Sequence, residues 1–220
     1  MSEAPETLKF FEAIAARDAR RVRAYLKKDP ALARSKDPNG NSPVLVAAYV
    51  GAPEIADLLA NAGAQVTIFE AAALGREDLV ADLLAINPAL LHARAHDGWS
   101  LLHLAAFFGH ASLASFLLTQ GADLQTESRN AMANTPLHSA VAGRRPALVR
   151  VLLDAGADPD ALAHWLTPLH LAAHAGHQPM VELLLAYGAI ADLSDPHGKT
   201  PADLAQEQGF PALSDQIKKF

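Results

Sequence analysis

The clearest hydrophobic pattern along the chain is a short amphipathic segment bounded by two glycines. Within residues 176–188, Met180, Val181, Leu184 and Leu185 are apolar, and a glycine stands at each end of the range. This spacing places the four side chains on one face of an α-helix. Glycine commonly ends helices because it adopts the left-handed conformation without penalty. The pattern predicts a helix of about two and a half turns.

A second helix is predicted immediately before the first. Thr167 can cap a helix start, and Pro168 then occupies the first helical position, where the missing N–H costs nothing. Small alanines at 172–173 suit a helix that neighbouring helices approach closely. Asp-Pro-His-Gly at 195–198 has the composition of a tight turn. The predicted unit is therefore two helices followed by an extended, hairpin-like loop.

This unit recurs along the chain. Thr-Pro-Leu-His occurs at 135–138 and 167–170, and degenerate copies stand at 42–45, 100–103 and 200–203. From residue 100 onwards, successive copies begin 35, 32 and 33 residues apart. A nearly fixed period of this length indicates stacked supersecondary units in which each unit contacts its neighbours.

The repeated residues resemble those of the ankyrin-repeat family. Besides Thr-Pro-Leu-His, Gly-His recurs at 109–110 and 176–177, each followed by a Leu-rich second helix and then by Gly-Ala. Several such slots coincide in at least three copies, and the match extends over nearly the whole chain. The resemblance implies an all-α fold, an ankyrin-repeat α-solenoid of helix-turn-helix units joined by β-hairpin-like loops and capped at both ends.

On this reading the chain forms a single ankyrin-repeat domain over residues 1–220. We expect an N-terminal helical cap or degenerate repeat at 6–36, about five repeats over 37–192, and a C-terminal cap at 193–220. Gly143 stands one position early, which puts Arg144 in the usual glycine slot and predicts an altered turn. The loop around 129–132 is two residues longer than its counterpart before Thr200, and we expect it to protrude.

The composition of the chain argues against several classes of function. The formal net charge of −6 argues against a nucleic-acid binder, which needs a basic face. The chain has no cysteine, which excludes disulfides and thiolate zinc sites and suits a reducing compartment. Residues 1–6 lack the pattern of a secretory signal, and no apolar run predicts a membrane span. We expect a soluble cytoplasmic protein that binds neither membranes nor nucleic acid.

Ten histidines raise the question of metal or acid–base chemistry. The resemblance implies that His103, His138 and His170 brace the loops through hydrogen bonds to the backbone. His170 and His174 are four residues apart, a spacing that can bind zinc on a helix, and His164 is near in sequence. A small-molecule or metal sensor that uses His164, His170 and His174 is therefore the alternative function. We expect no resident cofactor.

Signatures of catalysis are missing from the sequence. No phosphate-binding glycine motif and no Gly-x-Ser-x-Gly is present, and the chain has no thiol nucleophile. We expect that the protein is not an enzyme. An enzyme would require carboxylates or histidines with perturbed pKa values clustered on one surface.

The resemblance implies that a partner binds the concave surface formed by the loop tips and the first helices. We predict a non-catalytic protein–protein interaction module: a scaffold, adaptor or inhibitor whose partner is another protein. Aromatic residues are enriched at the centres of protein–protein interfaces. Two alternatives concern packing: Phe108 against the preceding repeat, and Trp165 filling a turn that lacks glycine. We expect a monomer, with weak self-association through the aromatic face as a further alternative. The predicted contact residues are Tyr49, Trp99, Phe107, Phe108, Met132, His164, Trp165 and His174.

Overall fold

The computed structural model describes residues 6–220, which form short helices joined by loops. The described residues contain no strand, and the only β pairing among them is an isolated antiparallel bridge between Ala163 and Leu166. Residues 1–5, most of the segment on which the expectation about a secretory signal rests, lie outside the described part. The helices are α1 Glu6–Ala15, α2 Ala19–Lys28, α3 Pro43–Tyr49, α4 Pro53–Asn61, α5 Ile68–Ala73, α6 Glu77–Ile86, α7 Leu101–Phe108, α8 Ala111–Thr119, α9 Pro136–Ala142, α10 Pro146–Asp154, α11 Pro168–His174, α12 Gln178–Ala186, α13 Pro201–Glu207 and α14 Pro211–Ile217, with 3-10 turns at Pro30–Arg34 and Pro88–His92.

The helix boundaries follow from the residues that the sequence places there. At the start of α11, Thr167 Oγ1 accepts a hydrogen bond from the backbone N–H of His170 at 3.3 Å, and Pro168 occupies the first turn. At its end, Gly176 takes the left-handed conformation with φ 64°. The two helices predicted around 167–188 are thereby confirmed. None of the helices within residues 6–220 has the length and apolarity needed to cross a membrane.

The helices fall into two compact units, with the boundary between Val80 and Ala81 inside α6. In the first unit, α1 packs against α2 and α3, and α3 packs against α4 and α5. Its core is a cluster of fully buried apolar side chains that includes Phe10, Ile14 and Ile55.

The second unit has two layers of helices. The first helices of successive repeats, α7, α9, α11 and α13, pack side by side in one row. The second helices, α8, α10 and α12, pack in another row, and each contacts the first helix of its own repeat. The apolar faces predicted from the sequence are buried between the rows: Val181 and Leu184 of α12 are both fully buried. The expected all-α repeat fold is thus confirmed, whereas the boundaries of the individual repeats stay predictions.

The loops between repeats have the hairpin-like form that the resemblance implied. In three of them the backbone N–H of the first residue donates to the carbonyl of the last: Asp37 to Asn41 at 3.0 Å, Ala95 to Trp99 at 2.8 Å and Asp195 to Lys199 at 2.9 Å. In the 163–166 turn, Ala163 and Leu166 each donate the backbone N–H to the carbonyl oxygen of the other, both at 2.9 Å.

The altered turn expected at Gly143 and Arg144 does not occur. Arg144 itself adopts the left-handed conformation, with φ 54°, and donates its N–H to Val141 O at 2.9 Å. The Gly176 N–H makes the corresponding bond after α11, to Ala173 O at 3.0 Å, so the two turns are alike. The prediction was wrong because Arg144 takes the same left-handed conformation as glycine at 176, despite the steric cost that this conformation has for a side chain. Gly143 is required for another reason: a Cβ there would lie 2.1 Å from Phe107 O.

Candidate functional site

Three buried histidines in residues 81–220 connect each repeat to the next. His103 Nδ1 lies 2.7 Å from Ser100 Oγ, and its Nε2 lies 2.7 Å from the carbonyl oxygen of Asn134 in the following repeat. Because a carbonyl oxygen only accepts, Nε2 carries the proton and Nδ1 accepts from Ser100. The bracing role that the resemblance implied is confirmed. The corresponding contacts are His138 with Thr135 Oγ1 at 2.9 Å and Leu166 O at 3.0 Å, and His170 with Thr167 Oγ1 at 2.8 Å and Lys199 O at 3.4 Å.

Burial keeps these imidazoles neutral. It lowers the pKa of His103 to about 4, against an ordinary value of 6.5, although the hydrogen bond to Asn134 O works in the opposite direction. Burial also lowers the pKa of His138 and of His170. Their ring nitrogens are already hydrogen-bonded within the fold. They are therefore parts of the scaffold that cannot bind a ligand while these bonds last.

The histidines of the sensor alternative do not form a site. His170 uses both ring nitrogens in the brace, and His164 and His174 are exposed. Across residues 6–220 there is no group of three or more His, Cys, Asp or Glu side chains placed to hold a metal ion. The sensor alternative gains no support from this arrangement.

A buried carboxylate replaces the bracing histidine in residues 6–80. Glu70, which is 6% exposed, accepts from the Thr67 N–H at 2.6 Å through Oε2 and from the Ser42 hydroxyl through Oε1. It forms a capping box with Thr67 at the start of α5. Glu70 is not among the residues predicted from the sequence. The signal was available, because Glu70 follows Thr67 at the same spacing as His170 follows Thr167.

The 160–166 loop presents two rings on a strained turn. His164 and Trp165 have φ values of 47° and 68°, so both stand in the left-handed region that favours glycine. Trp165 is 66% exposed, and Leu162 in the same loop is 53% exposed. The corresponding positions of the 95–99 and 195–199 loops are filled by Gly98 and Gly198. The indole therefore projects from a turn that glycine would form more easily.

The long 128–134 loop is fastened to the loop before it. Arg129 N donates to Gly98 O at 2.9 Å, and Asn130 Nδ2 donates to Asp97 O at 2.8 Å. Met132, by contrast, is 62% exposed. The inner part of the loop holds a buried network in which Ser128 Oγ lies 2.5 Å from Asn134 Oδ1, and Asn134 Nδ2 donates to Ser139 Oγ at 3.0 Å. A fixed backbone thus carries an outward apolar side chain.

The aromatic residues predicted near 99–108 lie in ring contact. The Trp99 and Phe107 centroids are 5.2 Å apart, edge to face, and the Phe107 and Phe108 centroids are also 5.2 Å apart. Phe108 stacks on His110 with centroids 6.4 Å apart. All three predicted residues are half-buried, so their rings support one another as well as facing solvent. Tyr49, at the end of α3, belongs to the other unit and is 44% exposed.

The structure therefore divides the predicted contact residues into three groups. Met132, His164 and Trp165 are exposed on two consecutive loops of residues 81–220, and His174 is exposed at the end of α11. Trp99, Phe107 and Phe108 form the half-buried aromatic group. Tyr49 is the one predicted contact residue that lies in the first unit.

Comparisons with known proteins agree with this architecture. Two family models match: "Ankyrin repeats (3 copies)" over residues 68–163 and "Ankyrin repeats (many copies)" over residues 162–205, together more than half of the chain. Similar proteins include a transient receptor potential cation channel subfamily A member 1 homologue of Caenorhabditis elegans, 33% identical over 180 residues. A glycerophosphocholine phosphodiesterase of Schizosaccharomyces pombe is 40% identical over 92 residues, and ankyrin repeat and SOCS box protein 11 of Danio rerio is 38% identical over 122 residues.

These alignments cover less than half of each relative. They span 78%, 40% and 56% of this chain, but 15%, 8% and 41% of the three proteins. The channel and phosphodiesterase activities named for two of them belong to those whole proteins. What the family models identify in this chain is the ankyrin repeat itself. The chain belongs to the ankyrin-repeat family.

Proposed function

We propose that the protein is a non-catalytic recognition module that binds another protein through the loops and first helices of residues 81–220. Ankyrin repeats generally serve as protein–protein interaction modules, and the buried residues here serve the stacking of repeats. The identity of the surface side chains therefore decides which partner is bound. A scaffold, an adaptor and an inhibitor are all forms of this function.

The exposed apolar side chains of the loops carry the proposal. Met132, Leu162 and Trp165 are 62%, 53% and 66% exposed and stand on the consecutive loops 128–134 and 160–166. Apolar side chains that project together from a polar surface usually mark an interaction site, and tryptophan is enriched among the residues that dominate binding energy. The backbone that carries them is fixed by hydrogen bonds, which reduces the entropy lost on binding.

The histidines support a non-catalytic role. A general acid or base needs a ring nitrogen that is available to the substrate, with a pKa near the working pH. The pKa is lowered in all three buried histidines, and their ring nitrogens are occupied by hydrogen bonds within the fold; these are His103, His138 and His170. Their perturbed pKa values are thus explained by the packing of the repeats.

The proposal can be tested by capture from a cell lysate, read by mass spectrometry. The bait variant is Trp165→Gly with Met132→Ser, because both side chains are exposed and glycine is favoured at the φ of Trp165. The matched control is Ile86→Ser, which removes an 81% exposed apolar side chain at the end of α6. Trp99 and Phe107 are less suitable, since their alanine variants would also remove ring contacts within the protein.

We expect proteins that are captured by the wild type and by the Ile86 control and lost by the double variant. Capture that is equal for all three baits would contradict the assignment of the surface. The cytoplasmic location and the monomeric state belong to the same proposal. Cell fractionation tests the first, and light scattering of the purified protein tests the second.

A further inference from the structure

A groove of about 490 Å³ lies in residues 81–220, between the 160–166 loop and the segment that follows α12. Its floor includes two buried residues of the brace, Thr167 and His170, whose polar atoms are hydrogen-bonded to each other. Its walls are the more accessible side chains of the two loops. The lining residues are Asp160, Leu162, Trp165, Thr167, His170, Leu193, Ser194, Asp195 and Pro196.

One wall of the groove is apolar and aromatic. Trp165 and Leu162 are both more than half exposed there, and Leu193 and Pro196 also line the groove. The turn that holds the indole has two non-glycine residues in the left-handed region, where each costs about 1–2 kcal/mol. A turn of this kind prefers Asn-Gly. Packing within the protein leaves the Trp165 ring 66% exposed, so the strained turn is not explained by burial of the indole.

The groove is also lined by acidic side chains. Asp160 and Asp195 line it, and no Lys or Arg is among its lining residues. Asp160 Oδ1 accepts from Ile190 N at 2.9 Å, while Asp195 Oδ1 accepts from His197 N and Lys199 N at 2.8 and 2.9 Å. These bonds all use Oδ1 and fix the orientation of each carboxylate.

The negative charge at Asp195 is maintained by the turn. The hydrogen bond from the backbone N–H of Lys199 keeps the pKa of the Asp195 carboxyl below its usual range, so Asp195 is ionised at neutral pH. The Lys199 ammonium, the cationic side chain nearest in sequence, forms an ion pair with Glu207. An aromatic face beside carboxylate side chains is complementary to a cation with an apolar stem.

We propose that this groove binds a basic side chain, arginine or lysine, in a peptide segment of the protein partner. The aliphatic stem lies along Trp165 and Leu162, and the cationic head lies at Asp160 and Asp195. Arginine fits best, because its planar guanidinium both stacks on an indole and donates in parallel to a carboxylate. The inference rests on the proposed function and adds the chemistry of the bound segment to it.

The test is a selection of random 12-residue peptides displayed on phage, with the full chain as the target. Peptides that also bind Trp165→Gly are removed before sequencing. Binding of the selected peptides is then measured to the wild type, to Trp165→Gly and to the double variant Asp160→Asn with Asp195→Asn. Asparagine keeps an Oδ1 acceptor for the backbone N–H groups, removes the negative charge and replaces the second oxygen by an NH2 donor. Thermal unfolding of each variant shows that it is folded.

We expect the selected peptides to share a basic residue beside apolar ones. The selection requires dependence on Trp165, and loss of that side chain should weaken binding about tenfold, as expected for a tryptophan at the centre of an interface. The independent test of the inference is the carboxylate variant. The double asparagine variant should weaken binding about threefold, with a smaller effect in high salt, because the carboxylates are partly solvated. Changing the basic residue of a selected peptide to glutamine should remove the difference between the wild type and the asparagine variant.

Two results would overturn the inference. The first is a set of selected peptides without a basic residue, or one that binds the asparagine variant as tightly as the wild type. The second is a selection that yields no peptide dependent on Trp165. Either result leaves the proposed function to be judged by the lysate capture, whose readout uses whole proteins and includes Met132. A failure of the inference and a failure of the proposed function are thus distinguishable.

Discussion

The brace formed by His103 should make the protein lose stability in mild acid. His103 is completely buried, and burial lowers its pKa to about 4. The unfolded chain has the ordinary value of 6.5 and takes up the proton first as the pH falls. The contribution of His103 to stability is therefore fully present above about pH 6.5 and is lost progressively as the pH falls towards about 4.

The magnitude follows from the difference between the two pKa values. The full shift corresponds to about 3 kcal/mol, and the part lost between pH 7.5 and pH 5 is about 2 kcal/mol. His138 and His170 have pKa values lowered in the same direction, so the wild-type protein should lose more than this amount. A charged His103 would also place an N–H at Nδ1 against the Ser100 N–H, which points to the same nitrogen at 3.4 Å.

The measurement is urea unfolding, followed by far-UV circular dichroism at pH 7.5 and at pH 5. The test variant is His103→Gln, whose amide can still donate towards Asn134 O but does not titrate. We expect it to be less stable than the wild type at neutral pH and to lose about 2 kcal/mol less on acidification. The control is His96→Gln at an exposed position, which should keep the wild-type pH dependence. An equal loss in the wild type and in His103→Gln would refute the reasoning.

Four further substitutions test the contribution of single positions to stability. Trp165→Gly should raise the free energy of unfolding by about 1 kcal/mol because it relieves a left-handed residue, while Gly198→Ala, at φ 76° with open space around it, should lower it by about the same amount. Gly143→Ala should lower the free energy of unfolding by more than about 2 kcal/mol despite an ordinary φ, because the new Cβ would meet Phe107 O. Unfolding in urea measures the changes at Trp165, Gly198 and Gly143. Glu70→Ala should lower the melting temperature by several degrees, equivalent to about 1–2 kcal/mol, because it removes the capping box and leaves the Ser42 hydroxyl without its acceptor.

Much of the fold could be predicted because each repeat contains residues that locally start and end its helices. Thr167 and Pro168 start α11, and the glycine at 176 ends it by adopting a positive φ, as local backbone preferences dictate. The brace of His170 was predictable for a different reason. It depends on a motif whose geometry recurs in a family, and both of its hydrogen bonds are present.

The parts that escaped prediction depend on contacts between distant residues. Glycine at 143 is explained by the carbonyl of Phe107, which is 36 residues away in sequence, and no local rule reveals that approach. The fastening of the 128–134 loop likewise depends on Asn130 reaching Asp97 O. The degree of burial of Trp99 followed only from its ring contacts. Periodicity identifies which residues face the core, but it does not give the accessibility of a side chain on a loop.

The central claim is that the loops of residues 81–220 are the surface that binds a protein partner. The most direct test is hydrogen–deuterium exchange of the purified chain, alone and with a protein identified by the lysate capture, read by mass spectrometry of peptic fragments. The account predicts slower exchange on binding in fragments that contain the 128–134 and 160–166 loops, with little change in α8, α10 and α12. Protection confined to those second helices, with both loops unchanged, would contradict it.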